Sequence, residues 1–583
     1  MQPASARTAI EHPATELLGA LRRYWGYDSF RPMQERIVRS LLDGQDACVV
    51  MPTGGGKSLC YQLPAALLAD RTVVVVSPLI ALMQDQVAQL SQMGISAALL
   101  NSTLEASEQA EILREAIAGR YRLLYLSPER LARADTIEWL QRVPVSLFAI
   151  DEAHCISEWG HEFRPEYRQL SSLRRHFPDR PIAAFTASAT RQVRHDIIEQ
   201  LALREPHKYI ASFHRANLRY VVRQCDSGTQ SALLVRALRS YAGSNVIVYS
   251  PTIARVEETV ASLAAEGIRA TGYHGKMDSA TRRRNQEKWM SDEVPVLVGT
   301  VAFGLGINKA AVRAVIHLSL PKSIEQYYQE AGRAGRDGLP ADCVLLWQKR
   351  DAGLLAHFIE QLSDSKEHER AWQRYHIIRA FVGSTRCRHR QICLHFGETP
   401  KWTSCGACDV CGYEIEWLSA PVAVPKSKRR AKRSAMERAA AAVAAASITF
   451  TRGPRPSSGQ ENGLAGSASA GDSTSGGGWW GSAGKRENSG ASRSVVPGVD
   501  PELREYLREW RRVTSKKLNI AAFIIMHDTS LDHLCQVRPR SLAELRKVSG
   551  FGERKTEMYG PDILGALERF RNGERIVAEL SDD

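Results

Sequence analysis

Short runs of β-branched and apolar residues recur between residues 47 and 346, each followed by a longer stretch with helical periodicity. The first series is Ala47–Val50, Val73–Ser77, Leu123–Leu126, Leu147–Ile150 and Ile182–Thr186. The second is Asn245–Tyr249, Val294–Gly299, Val312–Leu318 and Cys343–Leu346. Runs this apolar, without polar alternation, read as strands buried on both faces. Strands alternating with helices imply parallel sheets covered by those helices, and two series imply two lobes. The expected fold is therefore α/β, with tandem parallel-sheet lobes over 1–210 and 211–345 and the break near residue 210.

The remaining chain reads differently. Residues 346–412 are helical in pattern and end in a cluster of cysteines. Residues 413–499 hold KSKRRAKR, an alanine-rich stretch and a long Gly/Ser segment, the composition of a disordered basic linker with one short helix over Ser434–Ser447. Asp500-Pro501-Glu502 then combines an N-cap, an N1 proline and an acidic first turn, opening a small all-helical domain over 500–578. At 583 residues the chain exceeds what one core serves. Its start lacks a basic segment leading into an apolar stretch, and no apolar run approaches the ~20 residues of a membrane helix. No membrane association is expected. A net charge of +13 favours a polyanionic partner, although a solvated basic surface gives the same value. Between residues 421 and 500 there are 12 Lys/Arg against 5 Asp/Glu, so about half of that charge lies in the linker.

Met51-Pro-Thr53-Gly54-Gly55-Gly56-Lys57-Ser58 follows a strand and precedes a helical pattern. Successive backbone N–H groups of such a loop cradle phosphates. Lys57 would reach the β/γ-phosphates and Ser58 would ligate magnesium. Asp151-Glu152 ends the buried run Val145–Ile150, in place for a metal ligand (Asp151) and a carboxylate that polarises the attacking water (Glu152). A Gly-rich turn and a surface acidic pair are the plain alternatives. In the second lobe, Gln329-Glu-Ala-Gly-Arg333-Ala-Gly-Arg336 places two arginines on one helical face, suited to stabilising charge on a transferred phosphoryl group across an interlobe cleft.

Directly after Asp151-Glu152 runs Ala153-His154-Cys155-Ile-Ser-Glu-Trp159-Gly-His161-Glu-Phe163-Arg164-Pro-Glu-Tyr167. Trp159, Phe163 and Arg164 offer rings and a guanidinium that could stack on bases and grip a phosphate. A packing cluster of aromatics is the alternative. Of the eleven cysteines, Cys387, Cys393, Cys405, Cys408 and Cys411 crowd into 25 residues, which suits a reduced protein with one metal site better than a disulfide framework. Four thiolates suit tetrahedral zinc, and an iron–sulfur cluster uses the same ligands. Cys405, Cys408 and Cys411 share a regular spacing; Cys387, Cys393, His389 and His395 compete for the fourth place.

These motifs in this order resemble superfamily-2 helicases, and more closely the RecQ family of DNA helicases, over roughly 15–412 and 500–575. Phe30-Arg31-Pro-Met-Gln34 matches the family's opening motif, implying that Gln34 reads the adenine edge while Tyr27 and Arg31 stack on its ring. The lobes would be RecA-like. Ser77–Gln86 and Ser127-Pro-Glu-Arg130 look like first-lobe DNA-contacting segments, Thr186–Thr190 like the motif coupling hydrolysis to movement. Tyr273–Gly275 and Thr300–Lys309 look like second-lobe motifs touching DNA and nucleotide. The tract Cys155–Pro165 resembles the family's aromatic-rich loop, implying that Trp159, Phe163 and Arg164 sense single-stranded DNA. The context around Thr385–Arg388 and His395–Glu398 resembles its zinc subdomain and points to Cys387 as fourth ligand. Residues 503–555 resemble the helicase-and-RNase-D C-terminal domain, where Gly550-Phe-Gly552 with Arg554 and Lys555 would meet a phosphate, or form a plain turn.

The resemblance implies an ATP-dependent DNA helicase moving 3′→5′, with ATP, Mg2+ and Zn2+ as cofactors. Single-stranded and branched DNA would be its partners, with a single-stranded-DNA-binding protein and a topoisomerase as candidate protein partners. A monomer in a bacterial cytoplasm is expected, or in the nucleus if the source is eukaryotic. One departure stands out: family members of this plan place a winged-helix domain where 413–499 holds no such pattern. A DNA-stimulated translocase that unwinds poorly is the nearest rival reading; an RNA-dependent ATPase and a non-enzymatic scaffold stand further off.

Overall fold

A computed structural model of the chain describes residues 13–101, 104–160, 162–303, 309–419, 498–518 and 520–574. The basic and Gly/Ser stretch, the helix expected over Ser434–Ser447, and Gly304–Asn308 of the second-lobe motif lie outside the described residues.

The first lobe is one parallel sheet of β1 (Ala47–Val50), β2 (Thr72–Val76), β3 (Ala97–Leu100), β4 (Leu123–Leu126), β5 (Val145–Ile150), β6 (Ile182–Thr186) and β7 (His207–Ile210), in the order β3-β4-β2-β5-β6-β1-β7. The second joins β8 (Leu218–Gln224), β9 (Asn245–Tyr249), β10 (Ala270–Tyr273), β11 (Val296–Gly299), β12 (Val312–His317) and β13 (Ala341–Trp347) as β10-β11-β9-β12-β13-β8, again parallel. The central strands are buried along their whole length, Thr-Val-Val-Val-Val in β2 being an example. Each such valine is worth about 1.5–3 kcal/mol of burial. In open parallel sheets the strand ends at the carboxyl side carry the ligand site. Here the phosphate loop follows β1, Ser77 follows β2, Ser127 follows β4 and Asp151 follows β5.

The helical region after β13 holds the helices Lys349–Glu360, Ser365–Gly383 and Arg388–His395. It braces the junction of the lobes. Phe213 stacks on Phe396 at 4.4 Å, Glu398 accepts from Ser212 Oγ at 2.6 Å and from Phe213 N at 2.7 Å, and Arg191 donates to Gly397 O. The linker was expected to begin at 413. Instead Ile415 and Trp417 are buried in the core of the second lobe, and Glu416–Ser419 is helical. Two large apolar side chains in a polar stretch are enough to extend the fold to 419.

The C-terminal domain packs Pro501–Leu518, Asp528–Val537 and Glu553–Arg571 around Leu507, Trp510, Leu534 and Ile563. Asp500 Oδ1 accepts from Glu502 N and Leu503 N, the cap its sequence predicts. This domain rests on both lobes. On the first, Gly552 lies so close to Tyr24 that an added Cβ would sit 2.5 Å from its carbonyl oxygen, and Gly26 meets the Phe551 backbone in the same way. Tyr559 donates to Gln92 Oε1 at 2.7 Å. On the second, Arg508 Nε donates to Asp292 Oδ2 at 2.8 Å, and Arg511 lies 3.7 Å from the same oxygen. Asp292 also holds the buried Lys309 through Oδ1. Burial pushes the Asp292 carboxyl up, but Lys309, Arg508 and Arg511 outweigh this and hold it below the usual range.

Asp292 sits at φ +64°, a conformation asparagine tolerates. Asp292→Asn therefore removes the charge without straining the backbone. We expect a loss of about 3 kcal/mol in equilibrium unfolding, and a larger maximum dimension in small-angle scattering as the C-terminal domain leaves the second lobe. An unchanged scattering profile would show that the hub does not hold the domain.

Candidate active site

Gly54 and Gly56 adopt φ of +83° and +82°, which only glycine takes without strain and which turns the loop's N–H groups inward. The loop feeds the helix Lys57–Leu67, whose N-terminus adds to its attraction for an anion. Lys57 Nζ donates to Met51 O at 3.2 Å, a bond that a phosphate in the loop would compete for. Thr53 and Gly55 complete the loop, and Gly332 lies against Thr53. Ser58 hydrogen-bonds Tyr61, and the charge of Asp151 is felt by the same phenol. Burial, then the neighbouring Glu152, pushes the Asp151 carboxyl up to about 7 against the pull of Lys57. A carboxyl so placed gains most from a nearby cation.

Glu152 sits in the left-handed region at φ +46°, with Oε2 3.3 Å from His154 Nδ1. His154 is fully buried, and its Nδ1 lies 3.0 Å from Thr186 Oγ1. Thr186 donates to Ser188 O at 3.3 Å, and Ser188 Oγ accepts from Gln329 Nε2 at 3.1 Å. Polar contacts thus lead from the carboxylate of the first lobe, through the Thr186–Ser188 turn, to an amide of the second.

Beyond Gln329 the second lobe presents Arg333 and Arg336, both behind the helix Ile324–Ala331. The Arg336 stem touches the phosphate loop: a Cβ on Gly54 would lie 3.3 Å from its Cγ. Burial, then repulsion from Arg333 and Arg215, pushes Arg336 down to about 9. Arg215 was not foreseen; it donates to Gly332 O at 2.7 Å and to Gly335 O at 2.8 Å, fixing the turn that carries the other two. Its motif-free surroundings gave no signal. A group of guanidiniums beside a phosphate loop, Arg333 buried and Arg215 and Arg336 half-buried, suits a polyanion.

At the outer edge, Tyr27 is half-buried near Arg31, and Arg31 Nη1 donates to Gly54 O. Gln34, expected to read adenine, spends its amide on the protein: Oε1 accepts from Arg31 N at 2.8 Å and Nε2 donates to Gly56 O at 3.1 Å. Reading a base edge requires exchange of one of these bonds.

The aromatic loop leaves Trp159 45% and Phe163 36% exposed, against the packing alternative. Arg164 Nη1 lies 3.9 Å from Glu129. Thr300 is half-buried at the end of β11. Two expected DNA contacts are placed elsewhere. Ser127 is 7% exposed, and its oxygen caps the helix Pro128–Leu131. Lys555 is 4% exposed and burial pushes it down to about 8; the glycine turn before it is spent on packing against Gly26 and Tyr24. In this arrangement neither the turn nor Lys555 can meet a phosphate.

The ligand atoms of Cys387, Cys405, Cys408 and Cys411 lie within 4.8 Å of one another, close to the spacing of a tetrahedral thiolate site. Arg388 N and Ala407 N point at Cys408 and Cys405 sulfur at 3.4 and 3.3 Å, as donors to thiolates. The rivals fall away: Cys393 stands outside the cluster, His395 bonds Glu325 at 2.6 Å, and His389 lies against Cys405 sulfur without joining the four.

Four family models match along the chain: DEAD/DEAH box helicase over 31–196, helicase conserved C-terminal domain over 229–338, RecQ zinc-binding over 349–412 and HRDC domain over 500–567. Curated relatives named ATP-dependent DNA helicase RecQ are similar over the first two thirds of the chain. That of Haemophilus influenzae is 43% identical over 402 residues, 69% of this chain and 64% of the relative. That of Pasteurella multocida is 42% identical over 68% of this chain and 62% of its own length. That of Bacillus subtilis is 41% identical over 69% and 67%. The chain thus spans about two thirds or slightly less of these relatives.

Purified protein is expected to carry about one zinc per chain, and Cys405→Ser to carry almost none, measured by elemental analysis. Iron in place of zinc would instead favour the cluster alternative; zinc retained at full stoichiometry in the variant would remove Cys405 from the site.

Proposed function

The chain belongs to the RecQ family, and from that premise we propose that it is an ATP-dependent DNA helicase that translocates 3′→5′ on single-stranded DNA and separates duplex or branched DNA. The observation that carries the reading is the polar chain from Glu152 through His154, Thr186 and Ser188 to Gln329. It leads from the carboxylate assigned to the attacking water to the opposite lobe, which supports a coupling of hydrolysis to lobe movement.

In the proposed cycle Gly54–Gly56 and Lys57 hold the triphosphate, while Arg333 and Arg336 stabilise the charge that develops on the γ-phosphoryl group. Ser58 and Asp151 would hold magnesium, which supplies further charge neutralisation on the phosphates. Glu152 orients the attacking water and accepts its proton. Loss of phosphate removes the anion that Arg333 and Arg336 share with the loop, and the lobes part. The aromatic loop beside Glu152 makes this conditional on DNA. Each base-pair step opened is worth about 1–2 kcal/mol, well within what hydrolysis of one ATP provides.

The deciding test is unwinding of a 3′-tailed duplex alongside DNA-stimulated ATPase. Both are expected for the full chain. Lys57→Ala and Glu152→Gln should each reduce kcat by about 10²–10³-fold with strand separation lost in parallel. Gln329→Ala should lower DNA-stimulated kcat while leaving ATP affinity within about twofold. Hydrolysis without strand displacement would replace the helicase by a translocase; equal stimulation by RNA and DNA would overturn the choice of nucleic acid.

A further inference from the structure

The aromatic loop is tied to a different module of the protein. Glu158, next to Trp159, is gripped by two arginines: Arg168 Nη2 at 2.6 Å and Arg370 Nη1 at 3.2 Å. Arg168 belongs to the end of the loop itself, but Arg370 lies on the helix Ser365–Gly383 of the zinc-binding region. Both guanidiniums also cover a ring of the loop. That of Arg370 lies 5.8 Å from the Trp159 ring centroid, and that of Arg168 lies 5.3 Å from that of Phe163. Glu367 holds Arg370 from behind, with Nε to Oε2 at 3.1 Å, and Arg374 pairs with the same carboxylate. The Arg370 side chain is only 12% exposed, so this is a built contact and not a passing surface pair.

The guanidinium covers a ring face on which a base could stack, and the carboxylate engages a cation that could pair with a phosphate. We infer that Arg370 is a positioning residue for DNA-dependent hydrolysis: it latches the aromatic loop through Glu158 and Trp159 in a DNA-free arrangement, and an entering strand releases it. The inference rests on the proposed role of the loop as the DNA sensor. Release exchanges one set of partners for another. A base takes the face of Trp159, and Arg370 trades the Glu158 carboxylate for a backbone phosphate.

The connection from latch to chemistry is short and stiff. Ala153–Ile156 is a fully buried turn between Glu152 and the loop. Arg164 N donates to Cys155 O at 2.9 Å, and Glu162 lies 3.9 Å from His154 Nε2. The loop therefore reaches the water-polarising Glu152 and its neighbour His154 from both of its ends. A loop held by Arg370 biases these groups toward one arrangement, and its release shifts the population toward the other.

The test is ATPase of the full chain titrated with an oligo(dT) single strand, for Arg370→Ala, Glu158→Gln, Arg370→Lys and Trp159→Ala, with thermal unfolding alongside. Arg370→Ala and Glu158→Gln should each raise DNA-independent hydrolysis by about tenfold. Glu158→Gln, which leaves the arginine free for phosphate, should also lower the half-stimulating DNA concentration. Combining the two should give less than the product of the separate effects, because both break the Glu158–Arg370 pair. Arg370→Lys keeps the ion pair and should restore most of the DNA dependence. If both single variants keep the wild-type basal rate, or lose only maximal rate, the latch is wrong. If Arg370→Ala unfolds early, Glu158→Gln decides. Trp159→Ala separates the two levels: full DNA stimulation in that variant overturns the sensor reading itself, whereas its loss with unaltered latch variants overturns the latch alone.

Discussion

Gln329 donates its side-chain amide to Ser188 across the boundary between two parallel sheets, and much of the molecule is arranged so that this 3.1 Å contact can exist. Neither residue is free to wander. Ser188 stands on the short turn after β6, where Thr186 and His154 pin the backbone, and both partners are nearly inaccessible to water. Gln329 is carried on a helix whose Glu330 is fixed by His317 at 2.8 Å and Gln326 at 2.9 Å. A hydrogen bond buried to this degree is costly to leave unmade. Any movement of one lobe against the other must therefore re-pair these groups, and Glu152 is three contacts away on the first-lobe side.

Two further modules bear on the same boundary. The cysteine-anchored region clasps the junction through Phe396 and Glu398, both on or just beyond the helix that follows Cys387. The thiolates are far from the nucleotide loop in sequence, yet by fixing that helix they fix the stack on Phe213. The C-terminal domain sits on the other side, on the segment just before Tyr27 and on the Asp292–Lys309 pair. Lys309 closes the second-lobe motif that begins at Thr300. The domain thus touches the segment just before Tyr27 in one lobe and the end of a motif of the other.

The sequence made some of this legible, for identifiable reasons. Central strands such as β2 and β5 are buried on both faces and so appear as unbroken apolar runs. Strands at or near the sheet edges bury less. β3 alternates buried and half-buried residues, β7 buries Tyr209 alone, and β8 interleaves Arg219 and Arg223, so none of them stood out. Lys57, Asp151 and Glu152 can be proposed from sequence because the pattern that points to them is local to a loop. Arg215 and Arg370 act only through placement across more than a hundred residues, which no local pattern encodes. Lys555, expected at a phosphate, is buried for the complementary reason. Its glycine turn looks the same in sequence whether it faces a phosphate or, as here, the backbone of Gly26.

On the proposed reading, the cationic side of the cleft explains why a triphosphate favours closure. Arg215, Arg333 and Arg336 are gathered behind the phosphate loop, and Arg336 is repelled by the other two. Two unit charges roughly 5 Å apart at an effective dielectric of about 20 repel by about 3 kcal/mol. Arg215 is held by backbone carbonyls of the same turn, so it cannot relax away. A triphosphate between loop and arginines turns this repulsion into attraction, and its loss after hydrolysis restores it. All three arginines belong to the second lobe, so on the proposed reading their repulsion does not itself part the lobes; it makes a triphosphate between them and the loop the more strongly held, and loss of that anion removes what ties the arginines to the first lobe.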